Sequence, residues 1–239
     1  MIEEEFKKNL SVELDKINIE IKEEKLKLFY KYMKLLLEWN EKINLTAITD
    51  EKEIILKHFV DSLTINKYIK KEDIVMDMGT GAGFPGIPLK IINSDNHFIL
   101  VDSLNKRINF LAEVKEKLKL EKLDLLHSRA EDLGNNVEYR EKMDVVASRA
   151  VANLRTLTEY TLPFVKKGGI FISMKGPNAQ EEIELAKNAI EILGGKIEKV
   201  ENLKLTDNDI ERNIIVIRKE KVTPRKYPRK AGIPIKQPL

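Results

Sequence analysis

Between residues 23 and 41, Leu26, Phe29, Met33, Leu36 and Leu37 return at helical spacing with lysines and glutamates between them. Such a stripe predicts an amphipathic helix whose apolar side packs into a core. Residues 3–42 as a whole read as helical. Asn44-Leu-Thr-Ala-Ile-Thr49 breaks the pattern, with Thr49 or Asp50 placed to cap the next helix, over 51–67. From residue 73 the pattern changes, and short apolar runs alternate with helical periods. Strands are expected at 74–77, 97–101, 123–127, 143–147, 169–174, 196–203 and 213–219, and helices at 86–93, 104–118, 153–161 and 178–193. This alternation implies a parallel sheet with helices on both faces. The last two strands, joined through Asp207-Asn208-Asp209, have no helix between them and read as an antiparallel hairpin. No internal repeat and no low-complexity linker divides the chain.

One stretch carries candidate chemistry. After the apolar run Ile74-Val75-Met76 come Asp77 and four glycines, Gly79, Gly81, Gly83 and Gly86, leading into a helix. Strand, glycine turn and helix start, in that order, are where an open α/β sheet holds a nucleotide-like ligand. Gly81-x-Gly83-x-x-Gly86 fits a dinucleotide fingerprint, and Asp77-x-Gly79-x-Gly81 fits the first motif of S-adenosylmethionine (AdoMet) methyltransferases. A glycine-rich turn with no ligand is the third reading. Asp102, at the end of the next strand, can bond ribose hydroxyls of NAD or AdoMet alike. Asp77 favours AdoMet, since it can help hold a methionine amino group. Pro85 does too, because a pyrophosphate needs free N–H donors that proline lacks.

Composition narrows the classes. A chain of 239 residues with 42% apolar and 34% charged residues has the makeup of a soluble globular protein, of one large domain or a domain with an extension. It has no cysteine, which excludes disulfides, cysteine zinc sites, iron–sulfur chemistry and a thiolate nucleophile for attack on a pyrimidine ring. The charged start and the lack of a long apolar run point to a cytoplasmic protein. Net charge is +3, but the acid-free segment 221–239 holds Lys221, Arg225, Lys226, Arg229, Lys230 and Lys236, leaving −3 on residues 1–220. Four of the eight prolines also fall there. A basic, proline-stiffened end suits contact with a polyanion, or is simply a solvated tail.

Ligands in such sheets lie beyond the carboxyl ends of the strands. The polar residues expected there are Asp77, then Asp102 and Ser103, then Ser128-Arg129-Ala130-Glu131-Asp132, then Ser148 and Arg149, then Lys175. The third group suits adenine recognition, or is a helix cap and surface turn. In the helix before the sheet, Lys57, His58 and Asp61 fall within about a turn, with His58 expected to be a packed, hydrogen-bonded histidine. Strand four ends in Ser148-Arg149-Ala150, without the Asn/Asp-Pro-Pro-aromatic run that adenine and cytosine amino-methyltransferases carry. With no cysteine and no such run, the acceptor should be a better intrinsic nucleophile. Guanine N7 qualifies, for it has a free lone pair and loses no proton on methylation. Orientation would then carry the catalysis, and no catalytic base is assigned.

The chain resembles the bacterial 16S rRNA guanine-N7 methyltransferase family, RsmG (GidB). The matching blocks are Asn44-Leu-Thr-Ala-Ile48, Lys57-His-Phe-Val-Asp-Ser-Leu63, Asp77 through Leu89, Val101-Asp-Ser-x-x-Lys-Arg107, Ser148-Arg-Ala-Val-Ala152 and Thr223 through Leu239. The resemblance implies a class I AdoMet-dependent methyltransferase fold, Rossmann-like, with a mostly parallel sheet ending in an antiparallel hairpin. A helical extension over 1–67, a core over 68–220 and a basic tail over 221–239 would complete it. It implies methylation of N7 of one guanosine in 16S rRNA, with AdoMet as cofactor. By position, Gly79, Gly81 and Phe84 line the cofactor site, Ala130 and Glu131 flank the adenine, and Arg149 borders the pocket. Asp102 and Ser103 are assigned to the ribose from their strand-end position. Arg225, Lys226, Arg229 and Lys230 are the RNA-binding candidates, with Tyr227 stacking on a base or sugar. The expected partner is 16S rRNA or a small-subunit particle, with no membrane and no metal, the protein acting as a monomer. The rivals are methylation of another RNA, an NAD-dependent oxidoreductase and a cofactor-free RNA-binding module.

Overall fold

The computed structural model describes residues 1–149, 151–177, 179–205 and 210–239. The expected helix over 3–42 is two helices, α1 (Glu3–Asp15) and α2 (Glu23–Ile43), parted by a turn in which Asn18 takes a φ of 58°. α3 (Glu51–Ile54) is capped by the Asp50 carboxylate, which accepts from the N–H groups of Lys52 and Glu53. It runs on through a π-helical stretch, Ile55–Val60, into α4 (Asp61–Leu63), four residues short of the expected end.

The strands are β1 (Ile74–Met78), β2 (His97–Asp102), β3 (Leu123–His127), β4 (Met143–Arg149), β5 (Val165–Lys175), β6 (Gly195–Leu205) and β7 (Ile210–Lys219). They form one sheet in the order β3-β2-β1-β4-β5-β7-β6. The first five are parallel neighbours, β7 runs antiparallel to β5, and β6 antiparallel to β7. The hairpin is present, while its predicted joint at Asp207-Asn208-Asp209 lies outside the described residues. β5 begins four residues earlier than expected. Its opening residues, 165–168, lie before the predicted strand, yet Val165 pairs with Met143 before the register shifts.

Alternate residues of each strand go to opposite faces. Val75, Phe98, Val145, Ile170 and Ile214 join one core, and their neighbours Met76, Ile99, Val146, Phe171 and Ile215 join the other. Both faces are covered, which is why the strands read as nearly unbroken apolar runs. The first core is closed by α1–α4, α5 (Gly86–Ile92) and α6 (Asn105–Leu118), the second by α8 (Leu154–Thr161) and α9 (Ala179–Ile192). Two short helices escaped the periodicity, α7 (Ala130–Leu133) and α10 (Ile233–Lys236), each too brief to show a helical repeat.

The stripe on α2 is core packing: Leu26, Phe29, Met33 and Leu36 are buried and Leu37 is partly so. At its centre Phe59 has ring centroids 6.2 Å from Phe6, 5.1 Å from Phe29, 5.6 Å from Tyr32 and 6.1 Å from Phe84. Phe84 belongs to the glycine turn, so this aromatic cluster backs the candidate site. Phe59→Ala should cost about 3–5 kcal/mol of stability, the usual range for removing a fully buried phenylalanine. Urea unfolding followed by circular dichroism measures it, and a loss under about 1 kcal/mol would show that the cluster closes over the gap.

Candidate functional site

The strand order reverses at β1 and β4, each of which has the other as one neighbour, and the crevice of an open sheet lies at that point. There, at the carboxyl ends of the strands, two cavities of about 470 and 350 Å³ open side by side. They share Gly79, Asp102, Ser103 and Val151, so they are two lobes of one cleft. Gly79, Gly81, Phe84, Asp102, Ser103, Ala130, Glu131 and Arg149, all expected at the cofactor, line one lobe or both.

The glycine turn is shaped from beneath. Gly79 takes a φ of 73°, and a Cβ built on it would lie 2.5 Å from Val151 Cγ2. Any side chain there is both strained and obstructed. Asp77 does not face the cleft. It is 1% exposed, and its Oδ2 accepts from Thr80 Oγ1 at 2.6 Å and the Gly86 N–H at 2.8 Å. Its expected approach to a methionine amino group is therefore corrected: the carboxylate spends one oxygen tying both ends of the turn together. Burial pushes this carboxyl up to about 6, and its Oδ1 is buried with no hydrogen-bond partner among the described residues. Asp102 is also engaged, accepting from the Gly81 and Leu104 N–H groups at 2.9 Å each and from Arg107 at 3.2 Å. It nevertheless lines both lobes.

The first lobe is walled by residues from the π-helical stretch. The His58 ring stacks on Phe84, centroids 4.4 Å apart at 20°. Its Nε2 meets Thr46 Oγ1 at 2.8 Å and its Nδ1 lies 3.3 Å from an Arg149 amino group. The same Nδ1 lies 3.2 Å from the Lys57 carbonyl, so the ring is held at both nitrogens. His58 is packed and hydrogen-bonded, as expected, and it also lines the first lobe. Arg149 donates to the Lys57 carbonyl at 3.1 Å and to Asp61 Oδ2 at 2.9 Å, and its guanidinium lies 5.0 Å from the Phe84 centroid. It is a pocket wall and an ion-pair member at once. Residues that sequence had not assigned to the site are Thr46, Arg107, Val151, Tyr160, Gly232 and Ile235. Thr46 lies in a noted polar break, whereas nothing local points to Gly232 or Ile235.

The tail departs from expectation. Tyr227 is 6% exposed and packed in the second core, so it cannot serve as a stacking platform. Arg229 is bound to the buried Glu159, its NH2 2.7 Å from Oε2. Long-range partners in 131–159, invisible to composition, hold what read as a loose basic strand. Arg225, Lys226 and Lys230 remain exposed. Among the described residues there is no cluster of three or more His, Cys, Asp or Glu able to hold a metal, and no helix long and apolar enough to cross a membrane.

The lobes suit AdoMet. Asp102 and Glu131 offer acceptors for hydroxyl and amino groups, Met78, Val101, Leu104 and Ala130 give an apolar slot, and the Gly79 turn lets the backbone approach closely. Sheet order, glycine turn and cleft define a class I methyltransferase. A family model described as rRNA small subunit methyltransferase G (GidB) matches residues 25–215. The chain is 52% identical to the ribosomal RNA small subunit methyltransferase G of Clostridium tetani over 93% of this chain and 94% of that protein. To the protein of that name from Acetivibrio thermocellus it is 53% identical, over 92% and 91%. It belongs to this family, and is an AdoMet-dependent methyltransferase. Solved structures share the fold at lower identity. M. jannaschii TYW2 in complex with AdoMet has a TM-score of 0.52 at 19% identity, over 66% of this chain and 76% of that one. The Bacillus subtilis YcgJ protein has 0.53 at 12%, over 69% and 100%.

Burial and the Arg149 charge push His58 down to about 3 from its ordinary 6.5. Below about pH 6.5 the unfolded chain takes a proton that the folded chain refuses, so stability is complete above that pH and declines as pH falls toward 3. An NMR titration should find no inflection for His58 between about pH 5 and 8, and His58→Gln should flatten the decline. An inflection near 6.5 would mean a solvated ring.

Proposed function

We propose that this protein transfers a methyl group from AdoMet to N7 of a guanosine in 16S rRNA, acting in the cytoplasm on the small ribosomal subunit or its rRNA. The observation that carries the reading is the two-lobed cleft, in which an adenosine-sized slot beside Glu131 adjoins a lobe walled by Phe84, His58 and Arg149. When bound, AdoMet supplies an electrophilic methyl on its sulfonium.

In this reading Gly79, Gly81, Asp102 and Ser103 hold the middle of the cofactor, and Ala130 and Glu131 its adenine end. Phe84 and Arg149 wall the first lobe, next to the shared Gly79, Asp102, Ser103 and Val151. N7 presents a lone pair and gives up no proton, so the chain has to orient the acceptor base and exclude water. His58, held neutral, adds no charge to repel a sulfonium. Arg149, already committed to Asp61, Lys57 and His58, is a fixed donor and ring neighbour rather than a mobile acid. Arg225, Lys226 and Lys230 are the tail cations free to meet phosphates.

Calorimetric titration with AdoMet and with NAD tests the cofactor, and methyl incorporation into 16S rRNA and 30S particles tests the acceptor. Gly79→Asp should abolish AdoMet binding while the chain stays folded, and undiminished affinity would remove the cofactor assignment. Arg149→Ala should lower methyl transfer at least about tenfold, roughly 1.4 kcal/mol of transition-state stabilisation. Wild-type turnover in a folded Arg149→Ala protein would place Arg149 outside the reaction. Binding of NAD with no AdoMet affinity would return the oxidoreductase.

A further inference from the structure

The tail reaches the cleft from behind. Arg140 grips it by donating to the Thr223 and Tyr227 carbonyls, each at 2.8 Å. Further on, the Arg229 N–H and side chain converge on Glu159, which is 1% exposed. Three residues later the Gly232 N–H donates to Glu131 Oε1 at 3.1 Å. Gly232 sits at a φ of 82°, the turn that carries Ile235 onto the same lobe. Tyr160, the residue next to Glu159, lines the same lobe as Glu131. So one turn of α8 holds the tail through Glu159 and lines the lobe through Tyr160.

We propose that the tail around Gly232 is the outer wall of the cofactor lobe, and that Glu159 and Arg229, neither of which lines the cleft, are positioning residues for cofactor binding. Their ion pair sets Gly232 where its N–H fixes the Glu131 carboxylate and where Ile235 closes the lobe. The bond needs both partners: a lone Glu159 or Arg229 in that setting would be a poorly solvated charge, and the tail would lift. The inference rests on the reading of the Glu131 lobe as the cofactor's. It reassigns Arg229 from RNA contact to cofactor support.

The first test is AdoMet affinity by calorimetry. If the parent protein binds no AdoMet, the cofactor reading itself fails. If it binds, Arg229→Gln and Glu159→Gln should each weaken AdoMet at least about fivefold, the low end of couplings between linked sites. Combining Arg229→Gln with Glu131→Gln should weaken it by less than the product of the two single losses, because part of the tail's effect runs through Glu131. Losses that multiply, or unaltered affinity in folded Arg229→Gln, overturn the proposal. Should these variants not fold, the unmodified chain decides. Linkage is reciprocal, so saturating AdoMet should slow tryptic cleavage after the exposed Lys226 and Lys230 by a similar factor. Cleavage at an unchanged rate with AdoMet bound would mean that the tail and the cofactor are not coupled.

Discussion

The cleft hangs on one buried carboxylate. Asp61, 1% exposed on α4, accepts from Arg149 at the end of β4 and from Arg212 on β7 at 3.0 Å. Three elements distant in sequence are thereby joined above the sheet. Arg149 could not stay at 15% side-chain exposure without it, since an unpaired guanidinium in that position would carry most of its desolvation penalty uncompensated. Held this way, Arg149 fixes the His58 ring through Nδ1 and lies near Phe84, so the geometry of the first lobe follows from the Asp61 contact. The π-helical stretch fits the same account. One wide turn lets Lys57 offer its carbonyl to Arg149 while His58 and Asp61 both contact the same guanidinium.

The glycine turn has a second support from the N-terminal helices. The Tyr32 hydroxyl, fully buried on α2, donates to the Ala82 carbonyl at 2.5 Å, and it also occupies the space beside Gly83 where a Cβ would go. Asp77 ties the turn from below and Tyr32 pins it from behind. The helices before the sheet are therefore part of how the cleft is made, through Tyr32, Phe59, His58 and Asp61, as well as a cover for one face. Preorganisation of this kind suits a reaction whose catalysis rests on orientation.

Most of the sheet was legible because its strands are short, apolar and separated by turn residues. The glycine turn was legible because its residues and their use are contiguous. Asp102 and Ser103 reached the cleft because the carboxyl end of a strand is a position that sequence can give. The residues given by the resemblance reached it too, whereas Asp77 did not. What stayed hidden depends on partners far along the chain. Tyr227 looked like an exposed aromatic among cations, and only its packing in the second core shows otherwise. Asp77 sits in the motif that named the site, yet whether its carboxylate faces out or under the turn is decided by Thr80 and Gly86. The early start of β5 at Val165 shows only when Met143 is seen beside it.

Charge accounting changes once the tail is folded. On composition, 221–239 is a run of six cations with no acid, an obvious polyanion surface. In the fold, Arg229 is neutralised by Glu159, and Arg140 anchors the segment through main-chain carbonyls rather than through its charges. The segment thus joins two demands that pull apart in an unfolded tail. Gly232 and Ile235 line the second lobe, while Arg225, Lys226 and Lys230 are exposed elsewhere on the same docked segment. Cations carried on a docked segment meet phosphates at a fixed position relative to the cleft, whereas the same cations on a loose tail would supply affinity without register. For a reaction that must bring one base among many to one methyl group, that register is the more useful property.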